Sequence, residues 1–155
     1  MTAGLAARVV PGQRTFLGAA MGLVLFGLVH LLTVYNANFG QPRSPAEAEL
    51  YRMMMDLQMQ IGPMRPSAWD AVQILNASYS VLLLYAGTLN LLVLGVVVAH
   101  GKLRTLTITN LVFTGLLLVI TIAYQFPPPM VIAIIVFVLF ALSLYQQRKG
   151  TKREP

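Results

Sequence analysis

The longest uncharged segment of this chain covers residues 105–147 and reads TLTITNLVFTGLLLVITIAYQFPPPMVIAIIVFVLFALSLYQQ. A helix needs about 20 apolar residues to cross the ~30 Å hydrocarbon core of a bilayer, so this segment is long enough for two crossings. Prolines 127–129 divide it, because proline lacks an amide donor and disfavours helix at the preceding residue. The segment therefore predicts two membrane-spanning helices, over about 105–125 and 128–146.

Two further uncharged segments lie between Arg14 and Arg43 and between Asp70 and Lys102. They predict spans over about 15–35 and 68–99, the second of them long enough to require tilting or a first turn above the bilayer. Hydrophobic residues make up 57% of the 155 residues and charged residues 10%, against about 25% charged in soluble domains. We predict an all-α membrane protein, a bundle of four transmembrane helices forming a single domain over 1–155.

The loop charges predict the orientation of the spans. Three basic residues lie between the first two spans, and acidic residues accompany them, whereas the other loops and the two ends carry eight: Arg8, Arg14, Lys102, Arg104, Arg148, Lys149, Lys152 and Arg153. Cytoplasmic loops carry the excess of Lys and Arg. We therefore expect a multi-pass protein of the cytoplasmic (inner) membrane with both termini in the cytoplasm.

The loop between the first two spans predicts an amphipathic helix over 45–61. Ser44 and Glu47 form a capping pattern with proline at the first helical position, and Gly62 and Pro63 favour its end. Apolar residues recur at helical spacing at Ala46, Leu50, Met53, Met54, Leu57 and Ile61. We expect the helix to lie on the outer membrane surface or to cover the outer end of the bundle, with Leu50, Met54, Leu57 and Ile61 shielded and Gln58 and Gln60 exposed. The neighbouring methionines favour packing, with Cu(I) binding as the alternative.

Polar residues cluster at one depth of the spans, near their outer ends. The candidate pocket comprises His30, Tyr35, Asp70, Gln73, Asn76, Tyr79, Ser80 and Tyr124. Polar groups in a membrane face the protein interior or a wet cavity. They therefore predict either an outward-opening ligand pocket, with His30 as its titratable group and Asp70 as its carboxylate, or hydrogen bonds that join helices. Nearer the opposite ends of their spans, Asn90 and Asn110 are expected to pair.

Composition excludes several functional classes. The net charge of +6 is spread around apolar segments and not gathered on one face, which argues against nucleic-acid binding. The chain has no cysteine, and its two histidines lack the spacing of a metal pair. We predict no cofactor, no metal site and no catalytic residue, and we expect the chain not to be an enzyme.

The order of these features resembles a family of small uncharacterised bacterial four-helix integral membrane proteins. The resemblance covers about residues 15–145 and rests on His30, the methionine-bearing acidic helix, the segment Arg65-Pro66-Ser67-Ala68-Trp69-Asp70 and the segment Tyr124-Gln125-Phe126-Pro127-Pro128-Pro129. It implies a bacterial inner-membrane location and a four-helix bundle, and it implies no activity.

Two functions remain open from the sequence. The first is a non-catalytic accessory or assembly subunit that packs against a larger membrane complex or a second copy of itself, in contact with membrane lipids. The alternative is a binding protein, or an isomerase-like enzyme, for a hydrophobic lipid, isoprenoid or quinone held near His30 and Asn76. A cavity that reaches His30 would favour the second function, and a solid core would favour the first.

The charge distribution makes a testable prediction about topology. A reporter enzyme that works only in the cytoplasm should be active when it is fused after Pro155, because the basic loops resist translocation across the membrane. A cysteine placed at Gln41 should react with a membrane-impermeant reagent added from outside. Labelling of Gln41→Cys only after the membrane is opened would contradict the predicted orientation.

Overall fold

The computed structural model of this protein describes residues 10–123 and 127–151, with side chains over 10–123 and 129–150. The described residues form five helices: α1 (Gln13–Phe39), α2 (Pro45–Asp56), α3 (Ala68–Ala99), α4 (Leu103–Ala123) and α5 (Pro127–Thr151). Four of these are long and apolar enough to cross a membrane, namely α1, α3, α4 and, over Pro129–Gly150, α5. The predicted fold class, an all-α multi-pass membrane protein with an extra helix between its first two spans, is confirmed.

Helix α2 is shorter than the predicted 45–61, which is a correction. It begins as predicted, with the Ser44 hydroxyl accepting from the Glu47 amide, but it ends at Asp56. After that the chain folds back on itself through a turn at Gly62, whose φ is 58°. The Ala68 amide donates to the Leu57 carbonyl at 2.8 Å, so the backbone groups of this segment are paired across the turn. Apolar spacing alone did not reveal this competing pairing.

Most of the α2 residues predicted to be shielded do not pack against this chain, so their shielding by the membrane surface stays a prediction. Leu50, Leu57 and Ile61 are 48%, 61% and 46% exposed within the chain, and only Met54 is half-buried. The side of α2 that faces the protein carries Glu47, Tyr51 and Met54, because the Tyr51 ring packs on the Trp69 ring with centroids 4.5 Å apart. Gln58 and Gln60 are exposed, as predicted.

The helices group into two compact units. The terminal unit comprises residues up to Val24 together with those from Ala86 onward, and the central unit covers Leu25–Tyr85. The terminal unit thus contains the first part of α1, the second part of α3, and α4 and α5. The central unit contains the rest of α1 and α3, with α2 between them.

The terminal unit has a small-residue and aromatic core. The Phe16 and Phe140 rings, both fully buried, pack edge to face with centroids 5.3 Å apart. The Ser143 hydroxyl donates to the Gly12 carbonyl at 2.9 Å. A Cβ on Gly12 would lie 2.5 Å from the Ser143 carbonyl oxygen, so only glycine permits this approach of α1 to α5.

Asn90 of α3 and Asn110 of α4 pair in the terminal unit, which confirms the prediction. Each side-chain amide donates to the other's oxygen, at 2.8 and 2.9 Å. An interhelical hydrogen bond in a membrane contributes about 0.6 kcal/mol and up to ~2 kcal/mol. The reciprocal pair therefore fixes the register of α3 against α4.

Close contact between α1 and α3 depends on a glycine in each unit. A Cβ on Gly87 would lie 2.8 Å from the Val24 backbone nitrogen, and one on Gly27 would lie 2.9 Å from the Leu84 backbone nitrogen. Backbone atoms cannot move aside as a flexible side chain can. These two glycines let the α1 and α3 backbones approach, as small residues do in membrane helix pairs.

We predict that Gly87→Ala and Gly27→Ala each lower the free energy of unfolding by about 1–3 kcal/mol, the usual cost of overpacking. The matched control is Gly95→Ala, because a Cβ there meets no atom within 4 Å. It should leave stability unchanged or raise it by up to ~1 kcal/mol through helix propensity. Denaturant titration of the detergent-solubilised protein measures all three, and equal effects would contradict the assigned contacts.

Candidate functional site

The candidate site lies in the central unit where α1 and α3 touch. A Cβ on Gly27 would lie 3.0 Å from the Ser80 carbonyl oxygen, so the α3 backbone is close to α1 at this level. One turn further along α1, the His30 Nδ1 atom lies 2.8 Å from the Ser80 hydroxyl oxygen. Ser80 is fully buried and His30 is half-buried. The structure thus places His30 against α3 at the depth that the sequence predicts.

The hydrogen bonds of Ser80 define the tautomer of neutral His30. Ser80 donates its hydroxyl proton to the Asn76 carbonyl oxygen at 2.9 Å, the preceding turn of its own helix. Because a serine hydroxyl carries one proton, Nδ1 of His30 must then be the donor to Ser80. The other ring nitrogen, Nε2, carries a lone pair and makes no hydrogen bond within the described part of the chain.

Aromatic rings surround this hydrogen bond. The Tyr79 ring packs edge to face on His30 with centroids 5.1 Å apart, and Phe26 contacts both rings at 6.2 and 6.1 Å. Among the described residues the buried hydroxyl oxygen of Tyr79 has no hydrogen-bond partner. A buried polar atom without a partner is unusual in native proteins.

Asp70, the carboxylate of the pocket alternative, lies apart from His30. The Asp70 carboxylate accepts from the Ser67 hydroxyl at 2.7 Å and from the Ser67 amide at 3.2 Å, and the Asp70 amide donates back to the Ser67 hydroxyl. This capping box lies about 15 Å along α3 from Ser80, at 1.5 Å per residue. Asp70 therefore stabilises the start of α3 and is not the carboxylate partner of the imidazole.

Three other predicted residues also lie apart from His30 or outside the described residues. Gln73 accepts from the Asn38 amide at 3.1 Å and joins α3 to α1 nearer the end of α1. Tyr35 is exposed and packs on Phe39, with ring centroids 4.9 Å apart. Tyr124 falls outside the residues that the structure describes. Of the predicted set, His30, Tyr79 and Ser80 come together, and Asn76 joins them through its backbone carbonyl.

Sequence reasoning missed Phe26 and Asn38. Phe26 lies four residues before His30, so helical spacing places both side chains on one face of α1. The same spacing relates Asn38 to Val34, whose carbonyl accepts from the Asn38 amide at 2.8 Å. Spacing from a known site residue was therefore the available signal for Phe26, whereas the Gln73 partner required the register of α1 against α3.

A cleft of about 250 Å³ lies between the end of α1 and the start of α2. Its lining residues are Thr33, Asn36, Ala37, Gly40, Gln41, Arg43, Glu47 and Tyr51, and they do not include His30. The Tyr51 hydroxyl donates to the Glu47 carboxylate at 2.6 Å and the Arg43 amide donates at 2.5 Å, and both bonds lower the pKa of Glu47. The Glu47 carboxylate therefore remains ionised at neutral pH.

The arrangement around His30 is suited to joining helices. Its imidazole has a hydroxyl partner and two aromatic neighbours, whereas general acid–base chemistry in proteins relies on a titratable group placed against a reacting atom. Within residues 10–123 and 127–151 no group of three His, Cys, Asp or Glu side chains is placed to hold a metal ion. The chemistry this site supports is hydrogen bonding between α1 and α3, and the Tyr79 hydroxyl and His30 Nε2 make no hydrogen bond to the residues that the structure describes.

Substitution of His30 distinguishes a structural bond from a role in ligand chemistry. His30→Leu should lower the free energy of unfolding by about 1–2 kcal/mol, since the Ser80 hydroxyl oxygen loses its donor from α1 in a poorly solvated site. Ser80→Ala should cost a similar amount, and the double variant should cost less than the sum of the two. His30→Gln should keep most of the stability because an amide can donate to the same hydroxyl. Additive losses in a double-mutant cycle would contradict the bond.

Comparison with known proteins does not identify a function for this site. The chain matches no family model, no curated protein and no solved structure. The geometry around His30 and the surface of the helices are therefore the basis of the function proposed below.

Proposed function

We propose that this protein is a small, non-catalytic interaction subunit that packs against a larger complex in the membrane. The proposal rests on one observation: polar side chains within the spans form hydrogen bonds to other helices of the same chain. His30 bonds to Ser80, and Asn90 bonds to Asn110. Such bonds build a rigid scaffold, and a rigid scaffold is what an accessory subunit presents to its partner.

The outward surface of α3 in the terminal unit supports contact with another helix. Gly95 is exposed, and a Cβ there would meet no atom of this chain within 4 Å. Thr88, Leu92 and Ala99 are also exposed and lie on the same helical face. Small residues on a lipid-facing surface allow the backbone of a second helix to approach closely. Gly87, in contrast, is already in contact with α1.

The location of the proposed subunit is the cytoplasmic membrane of a bacterium, with both termini in the cytoplasm. Support for this comes from the charges of the described residues. Among the residues that the structure describes, the terminal unit carries basic side chains and no acidic ones, whereas the central unit carries Glu47, Glu49, Asp56 and Asp70 beside three arginines. The positive-inside rule then favours the cytoplasm for the basic ends of the spans.

A second candidate function is the binding of a hydrophobic lipid, isoprenoid or quinone beside His30. The specific observation in its favour is the buried Tyr79 hydroxyl, which has no hydrogen-bond partner among the described residues and lies next to an imidazole whose Nε2 is an acceptor. A ligand with a hydroxyl or carbonyl group could satisfy these atoms. The cleft between α1 and α2 does not reach His30, which makes this the weaker proposal.

The proposed contact surface is tested by Gly95→Leu. The open space around Gly95 means that the variant should fold normally, with unchanged helicity and unfolding midpoint. It should nevertheless lose its larger assembly, because the added side chain separates the two helices. Native gel electrophoresis of gently solubilised membranes, followed by mass spectrometry, measures the assembly.

The matched control is Phe113→Leu, which changes an exposed side chain on α4 and should leave the assembly intact. A photo-crosslinking residue at Leu92, which is 74% exposed, should capture the same partner as the native assembly contains. Migration of the wild-type protein as a monomer, or as copies of this chain alone, would contradict the proposal. Loss of function in His30→Gln with an intact assembly would favour the ligand-binding alternative.

A further inference from the structure

A second cleft, of about 300 Å³, lies within the terminal unit. It is bordered by the segment before α1, the turn between α3 and α4, and the end of α5. Apolar side chains line one part of it and polar ones another, with Val10, Pro11, Val98 and Leu103 in the first group and Arg104 and Gln147 in the second. Its volume is in the range of small-molecule sites, and its mixed lining suits an amphiphile.

The charged side chains that the structure describes in the terminal unit are all basic. The described residues of the terminal unit include Arg14, Lys102, Arg104, Arg148 and Lys149, and they include no Asp or Glu. Arg104 forms no ion pair among the residues that the structure describes. An arginine without a carboxylate partner at the mouth of a cleft has its guanidinium donors available, and their fork geometry matches the oxygens of a phosphate group.

The start of α4 adds donors at the same place. The residue before α4 is Lys102, which offers no side-chain oxygen to cap the helix, whereas α2 and α3 begin after Ser44 and Ser67. In the described part of the chain, the backbone amides of residues 103–105 donate no hydrogen bond. Free amides and the positive end of the helix dipole favour an anion here, in agreement with the side-chain charges.

The depth of the cleft indicates where its ligand comes from. Arg104 is in the first turn of α4, which is long and apolar enough to span the membrane. Val98 lies in the last turn of α3, another such span. The cleft is thus at the level where lipid headgroups meet acyl chains, and basic pockets between transmembrane helices bind anionic headgroups.

We propose that this cleft binds the phosphate headgroup of an anionic membrane lipid, with Arg104 holding the phosphate and with Val98 and Leu103 contacting the start of an acyl chain. The proposal is independent of the assembly role proposed above, because it concerns other residues of the terminal unit and a different ligand. Zwitterionic lipids carry the same phosphate, but their cationic group is repelled by the surrounding arginines and lysines.

The test is native mass spectrometry of the detergent-solubilised full chain titrated with phosphatidylglycerol or phosphatidylcholine. The wild-type protein should retain phosphatidylglycerol at least about tenfold more tightly than phosphatidylcholine. Arg104→Gln should weaken phosphatidylglycerol binding about tenfold or more, the effect of losing a charged hydrogen bond. Val98→Phe should also weaken it, since the larger ring fills the cleft while every charge remains.

The matched control is Arg14→Gln, which removes the same charge from an exposed position in the terminal unit that does not line the cleft. It should weaken binding by less than about threefold, because an exposed charge that does not contact the ligand is screened by salt. Helicity and gel filtration monitor the folding of each variant. If Arg104→Gln fails to fold, the effect of Val98→Phe on phosphatidylglycerol binding tests the proposal.

Three outcomes would overturn the proposal. Equal weakening by Arg14→Gln and Arg104→Gln would indicate diffuse attraction to a basic surface and not a site. Displacement of phosphatidylglycerol by excess inorganic phosphate would identify a site for soluble phosphate. Equal retention of the two lipids by the wild-type protein would show that charge does not select the ligand.

Discussion

The close approach of the α1 and α3 backbones is the constraint on which the candidate site depends. Gly27 permits it in the central unit, where a Cβ would meet the Leu84 nitrogen and the Ser80 carbonyl oxygen. His30 follows Gly27 by one turn, so the same approach brings its imidazole to the Ser80 hydroxyl. A larger residue at position 27 would move α3 away from α1 and break the His30–Ser80 hydrogen bond. The bilayer core holds no water that could replace this bond.

The environment of His30 explains why an interaction subunit is the better proposal than an enzyme. An imidazole acts in proton transfer when a partner positions it against substrate, and here its Nδ1 is engaged with a serine that is itself bonded to its own helix. The nearest predicted carboxylate, Asp70, is engaged by Ser67 at the start of α3. The helix surfaces instead carry open glycines, Gly18 and Gly95, where a Cβ would meet no atom of this chain within 4 Å.

Charge is distributed differently in the two units. In the central unit Arg52 pairs with Glu49, and Glu47 is held by Tyr51 and Arg43, so charges of both signs are used locally. The terminal unit has basic side chains only among its described residues. One of these is Lys149, whose Nζ lies 4.7 Å from the centroid of the Tyr145 ring. Arg104, in contrast, lines a cleft. Unbalanced charge at a membrane boundary attracts anionic lipid, and this follows from composition and position together.

The sequence by itself determined the number of spans, the start of α2 at its Ser44 cap and the Asn90–Asn110 pair. These are local or depth-dependent features: spans need a minimum apolar length, caps need residues at fixed offsets, and buried amides at one depth have few other partners. The depth argument also brought His30 to Ser80.

Tertiary structure decided the features that the depth of a residue in its span and its spacing in the sequence do not determine. The rotation of α2 about its axis follows from the Tyr51–Trp69 contact, which turns Leu50 and Leu57 away from the protein, and the end of α2 follows from pairing across the Gly62 turn. Both outcomes depend on contacts between residues distant in sequence or on competing backbone hydrogen bonds. For the same reason, only the packed structure separates Gly27 and Gly87, which are in contact with a neighbouring helix, from Gly18 and Gly95, which are open. A glycine's role depends on which atoms of another helix lie opposite it, and the helical register that sets this is a property of the packed chain.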